Sequence, residues 1–241
     1  MISASKLIKA SYFAGKSLFC PPKVVSVRNP VDMAVMVPIR SLGAGHSDRI
    51  LQHLLKLDPA DRYLRFGYAA SDVQIQRYVT SIHFERDEIF GIYNRRLELI
   101  AMAHLAFAVK SDFTSCAEFG VSVTARARGR GYGARLFDRA VMHARNEGVH
   151  MIFIHALSQN TNMLNIARNA GAIVQRDGSD SEAYLRLAPA DLDSQMSEFV
   201  EEHVARTDYQ LKVQAHQFWN FLHLLQDVRR GVQDARKRTA N

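Results

Sequence analysis

Glu118-Phe119-Gly120-Val121-Ser122-Val123-Thr124-Ala125-Arg126-Ala127-Arg128-Gly129-Arg130-Gly131-Tyr132-Gly133-Ala134 is the stretch on which the fold turns. Its first six residues alternate. Phe119, Val121 and Val123 share one face of a strand, and Glu118, Gly120 and Ser122 share the other. The strand feeds a loop of glycines and arginines, which opens a helix over Gly133–Glu147. That helix carries an apolar stripe of Leu136, Phe137, Ala140, Val141 and Ala144, with Gly148 at its C-terminal stop. Glycines let the backbone turn tightly against a ligand, and the amides of a helix N-terminus attract anions. Arg126, Arg128 and Arg130 add positive charge. The segment reads as a phosphate-binding loop.

Downstream, Met151–Leu157 reads as a buried strand and Asn160–Ala170 as a short helix stopped by Gly171. Ala172–Arg176 and Glu182–Leu187 read as two strands about an Asp177–Asp180 turn. Upstream, Val35–Arg40 reads as a short strand and His46–Leu57 as a helix ended by Asp58-Pro59. A second helix starts at Ser71 or Asp72 and runs through Ile82. Strands follow at Ile89–Tyr93, Leu97–Val109 and Glu118–Val123. Beyond residue 190, Leu211, Phe218, Leu225 and Val232 recur every seven residues. This predicts a long amphipathic helix or a helical pair with a break near Arg206–Asp208, packed on its own domain or on a second copy.

The formal charge of +7 is uneven: +5 in residues 1–30, +3 in 226–241, and −1 between them. The basicity therefore belongs to the two ends, which argues against a nucleic-acid enzyme; a binding role for the ends alone would show a steep salt dependence. No apolar run approaches the roughly 20 residues of a membrane span. Two separated cysteines, Cys20 and Cys116, cannot form a disulfide framework or a four-ligand zinc site, and the ten histidines lack metal-ligand spacing. No metal and a cytoplasmic location are expected. The chain divides into a basic N-terminal arm (1–30), a large α/β domain (31–190) and a C-terminal helical extension (191–241).

Two other phosphate motifs fail. Gly129, Gly131 and Ala134 satisfy the letters of the dinucleotide fingerprint, but Gly129 lies six residues past the strand, and no acid ends the next strand. Ala10–Ser17 fits a relaxed P-loop without a buried strand before it or a magnesium-binding aspartate after it.

Arg128-Gly129-Arg130-Gly131-Tyr132-Gly133 resembles the Q/R-x-x-G-x-G/A signature of the GNAT family of acyl-CoA-dependent N-acyltransferases. The preceding strand from Ala117-Glu118, and Asn160 with Ala170-Gly171 downstream, resemble that family's segments in the same order. Leu57-Asp58-Pro59-Ala60-Asp61-Arg62-Tyr63-Leu64-Arg65-Phe66 is similar to a stretch in the acetyltransferase domain of bacterial protein-lysine acetyltransferases. Tyr63, Leu64 and Phe66 there also suit packing between the first two helices.

The resemblance implies an α/β fold with a mixed, mostly antiparallel sheet flanked by helices. It implies acetyl-CoA as acyl donor and a primary amine, small or on a protein lysine, as acceptor. The pantetheine arm would pair with backbone near Val121 and Val123. The pyrophosphate would lie on the amides of Arg128, Gly129, Arg130, Gly131, Tyr132, Gly133 and Ala134, and Asn160 would bond the pantetheine amides or simply cap its helix. Direct attack by an amine needs a base, because alkylamines near pKa 10 are protonated at neutral pH. Glu118 is the candidate base or, alternatively, a carboxylate paired to an arginine. His104, within an apolar strand, is a second candidate or a satisfied core histidine. Many relatives carry a tyrosine as general acid seven residues after the asparagine; here that position is Ala167. This departure raises an alternative, a non-catalytic acyl-CoA-binding module signalling through the C-terminal helix.

Overall fold

The computed structural model describes residues 37–108, 116–191, 194–215 and 217. The N-terminal arm, the P-loop-like run, Phe218 and the later heptad positions lie outside them. A short strand β1 (Arg40–Ser41) leads through a 3-10 turn into three helices, α1 (Ser47–Leu55), α2 (Pro59–Phe66) and α3 (Asp72–Thr80). Strands β2 (Glu88–Tyr93), β3 (Leu99–Phe107) and β4 (Cys116–Val123) follow, then α4 (Tyr132–Asn146), β5 (Met151–Leu157), α5 (Thr161–Asn169), β6 (Ile173–Asp177) and β7 (Asp180–Arg186). Residues 194–215 form a last helix, α6.

The seven strands make one sheet in the order β1-β2-β3-β4-β5-β7-β6. Each neighbouring pair is antiparallel except β4 and β5. The expected mixed, mostly antiparallel sheet with flanking helices is therefore the fold. Period-two alternation sends residues to two cores. Phe90, Ala101, Ala103, Leu105 and Phe119 pack with Leu136, Phe137 and Ala140 of α4 and Leu164 of α5. On the opposite face Ile89, Leu99 and Met102 pack with Ile50 and Leu54 of α1 and Ile75 and Val79 of α3.

Three differences from the sequence reading have local causes. The first strand is only Arg40–Ser41 among the described residues, set by its pairing to Gly91 and Phe90. Asp58-Pro59 ends α1 but also starts α2, a helix the reading did not name. The Asp58 carboxylate accepts from the Asp61 N–H at 2.8 Å, and Pro59 occupies a first-turn position where its missing N–H costs nothing. Finally, α6 runs unbroken through residues 206–208. Ion pairs four residues apart, Glu202–Arg206 and Asp208–Lys212, sit where a break was expected.

Candidate active site

The one parallel step among the described strands positions the site. β4 and β5 pair over just Cys116–Glu118 and Met151–Phe153. Beyond that point β4 keeps β3 as its partner as far as Val123, and β5 keeps β7 as far as Leu157. The β5-facing edge of residues 119–123 is thus left without a strand partner. Backbone donors and acceptors at Val121 and Val123 border a wedge between the two strands. α2 packs against both of them, and Asn160 reaches the Leu64 carbonyl on α2 at 3.5 Å.

At the end of β4, a 3-10 turn (Ala125–Ala127) precedes the glycine loop. Gly129 and Gly131 both have φ of +74°, a conformation that a side chain opposes. Gly131 is the N-cap of α4, and no side chain caps that end. The first intrahelical bond there is from the Arg135 N–H to the Gly131 carbonyl. The Tyr132, Gly133 and Ala134 amides therefore precede the intrahelical ladder, as helix geometry requires, and present the positive end of the helix dipole. Arg128 turns back to pair with Asp61 on α2 and reaches the Val123 carbonyl. Burial raises the Asp61 carboxyl, and Arg128 counteracts part of that rise.

Glu118 and Ser122 point towards α1–α3 from the same face as Gly120, as the alternation predicts. The space beside Gly120 is filled by Arg65. A Cβ there would lie 2.7–2.8 Å from three atoms of the Arg65 guanidinium. Arg65 donates to the Tyr78 hydroxyl at 2.9 Å, and that hydroxyl is hydrogen-bonded to His104 Nδ1 at 2.6 Å. His104 Nε2 faces the Asp87 carboxylate at 3.3 Å, and Arg86 holds Asp87 from the other side. Burial would push the Asp87 carboxyl up, but the hydrogen bonds and charges of His104 and Arg86 hold it well below the usual range. His104 is thus a satisfied, nearly buried histidine. Ser122 is buried and bonds His53 Nε2 at 2.8 Å, while His53 Nδ1 donates to the Leu99 carbonyl at 2.9 Å. Burial pushes the His53 pKa down to about 4, so the ring is neutral.

Residues 51–172, just over half the chain, match the sequence profile of the acetyltransferase (GNAT) family. The chain belongs to that family. No curated protein matches it in sequence. Among solved structures, it is similar to the GNAT domain of PAT from S. lividans, at 18% identity and a TM-score of 0.54, over 64% of this chain and 95% of that one. It is also similar to the spermidine N-acetyltransferase from Vibrio cholerae solved with CoA and spermine, at 17% identity and a TM-score of 0.48, over 63% and 95%. At such identities the likeness concerns fold.

The GNAT fold is that of enzymes using an acyl-CoA donor. Asn160 caps α5, accepting from the Met163 N–H at 3.2 Å. Ala167, at the position where many relatives carry a tyrosine, is fully buried. Among the described residues no group of His, Cys, Asp and Glu could hold a metal ion, and no helix is long and apolar enough to cross a membrane. A hollow of about 390 Å³ lies elsewhere, between α4 and α6, lined by Arg139, His143, Glu198 and Phe199 among others; it holds none of the candidate residues. The sequence reading missed Arg65, Tyr78 and Asp87. For Arg65 a signal was present, since it lies in the Leu57–Phe66 stretch that resembles a protein-lysine acetyltransferase segment.

Proposed function

We propose that the protein is an acyl-CoA-dependent N-acyltransferase that moves an acetyl group from acetyl-CoA to a primary amine by direct attack. The observation that carries this is the wedge between β4 and β5 opening beside the uncapped N-terminus of α4. In this reading the pantetheine arm pairs with β4 backbone at Val121 and Val123. The pyrophosphate lies on the Arg128–Ala134 amides, displacing Asp61 from Arg128, and Asn160 contacts the arm. A backbone amide near Val121 polarises the thioester carbonyl. The amine nitrogen bonds the carbonyl carbon as the C–S bond breaks. Glu118 takes the proton lost by the nitrogen, directly or through water, and the thiolate takes one from water, since Ala167 offers none. A CoA thiol is a fair leaving group without a protein acid.

We propose also that the apolar residues exposed on α6, Met196, Phe199, Val200 and Leu211, mediate a homodimer. Sedimentation of the full chain should give twice the monomer mass; a monomer at micromolar concentration would remove this proposal. Thiol release from acetyl-CoA against a panel of amines and lysine peptides tests the activity. Turnover with some acceptor is the expected result. Tight acetyl-CoA binding without thiol release for any acceptor would favour the non-catalytic alternative, which the buried Ala167 motivates.

A further inference from the structure

Arg65 stands out among the polar groups of the candidate site because its charge has no assigned use. Its guanidinium lies flat against Gly120, in space that any side chain at 120 would fill. Its partners are the Tyr78 hydroxyl and the rings of Phe66 and Tyr78, whose centroids are 5.3 and 5.5 Å away. Among the described residues no carboxylate lies within ion-pair distance of it. Its Nε is buried and has no hydrogen-bond partner. Keeping a half-buried cation without a counter-ion is costly unless a ligand supplies one. Arg128 has Asp61, one turn before Arg65 on α2, as its counter-ion; Arg65 has no counterpart among the described residues.

Glu118 lies two residues before Gly120 on the same strand face, a separation of about 7 Å between α-carbons. The wall beside the wedge therefore presents a carboxylate and, next to it, a guanidinium that are not paired to each other. That is the complement of a zwitterion. We infer that Arg65 binds a carboxylate of the acceptor, so that the acceptor is an amino acid whose amine and carboxylate lie close together, with the amine directed to Glu118 and the carboxylate to Arg65. This rests on the acyl-transfer reading above. A guanidinium meets a carboxylate through two parallel hydrogen bonds, which fixes orientation as well as adding attraction. A polyamine, or the ε-amine of a protein lysine, brings no anion to this position and meets an uncompensated cation instead.

The test compares amino acids with their own carboxamides, glycine with glycinamide and leucine with leucinamide, alongside spermidine and an Nα-acetyl-lysine amide, in the thiol-release assay with full-length protein. A charged bidentate contact predicts that the acids exceed the amides in kcat/KM by at least about tenfold, chiefly through KM. In Arg65→Met, and in Gly120→Ala, which displaces the guanidinium, that ratio should collapse towards one while acetyl-CoA binding persists. Arg65→Lys should keep part of it. Calorimetric binding of the same pairs to the CoA-loaded protein reads the preference without turnover. No thiol release with any acceptor would count against acyl transfer, and the binding preference would still decide the role of Arg65. Carboxamides binding as well as acids, or a preference that survives Arg65→Met with intact folding, overturns the inference.

Discussion

His53 shows how one buried group couples the site to the stability of the fold. It sits between Leu99 and Ser122 with both ring nitrogens bonded, and its pKa lies at about 4, chiefly because burial disfavours the charged ring. The unfolded chain would titrate this group near 6.5. Between these values the unfolded state takes up a proton that the native state refuses. The stabilisation is complete above pH 6.5 and is lost as pH falls towards 4, amounting to about 3 kcal/mol across the window. Urea denaturation at pH 7, 6, 5 and 4 should record that decline, and His53→Gln should flatten it. An unchanged slope in the variant would assign the decline to other groups. At this scale the sequence was partly legible. Glu118, Gly120 and Ser122 share a face because strand alternation requires it. The occupant of that face was not legible, because Arg65 arrives from a helix more than fifty positions away and only tertiary packing sets it over Gly120.

At the scale of elements, α2 and the loop before α4 place the site. Loss of the Asp58 cap in Asp58→Ala should cost about 1 kcal/mol of stability, seen as a lower Tm. Because α2 also carries Asp61 and Arg65, the variant should weaken substrate binding as well. Gly131→Ala adds a Cβ that meets nothing within 4 Å, yet forces an L-residue to a φ of +74°. About 1–2 kcal/mol of strain should result. If the loop holds the pyrophosphate, the KM for acetyl-CoA should rise while the KM for the amine changes less. Most elements were legible: Met151–Leu157 is observed with the bounds that its apolar run predicts, and Gly148 ends α4 in the left-handed conformation. α2 was missed because Asp-Pro punctuates in both directions, stopping one helix and capping the next. The divergence of β4 from β5 has no sequence signal, since it depends on which strand each one pairs with.

Across the whole molecule, α6 is tied to the body by polar contacts. Asp191 accepts from the Ser194 N–H at 2.8 Å, and Ser194 donates to Asn146 on α4 at 2.7 Å. Glu198 meets His143 at 2.6 Å and contacts Asn146. Arg139 lies 2.7 Å from Glu198, an ion pair by distance whose angles are not those of a hydrogen bond. Burial would raise the Glu198 carboxyl, but the bonds from His143 and Asn146 and the Arg139 charge outweigh it and bring the pKa to about 2. This contribution is present above the ordinary carboxylate range and is lost as pH falls towards 2. Glu198→Gln should destabilise the fold by about 2 kcal/mol and hasten amide exchange in residues 194–215. Exchange unchanged there would mean that apolar packing, such as Ala205 and the Tyr93–Tyr209 ring contact, holds the helix instead. A helix was expected beyond residue 190, although of the heptad positions only Leu211 lies on the described part of α6. The pattern could not reveal its docking, because Arg139, Asn146 and Glu198 read as ordinary surface residues until the two helices meet.

In the proposed reaction Glu118 removes the proton of an amine attacking acetyl-CoA in the wedge between β4 and β5. Glu118→Gln tests this role, with turnover and acetyl-CoA affinity measured on the same preparation. Loss of a general base predicts a kcat lower by about 10²–10³ with the acetyl-CoA Kd nearly unchanged. Full turnover in the variant would remove Glu118 from that role.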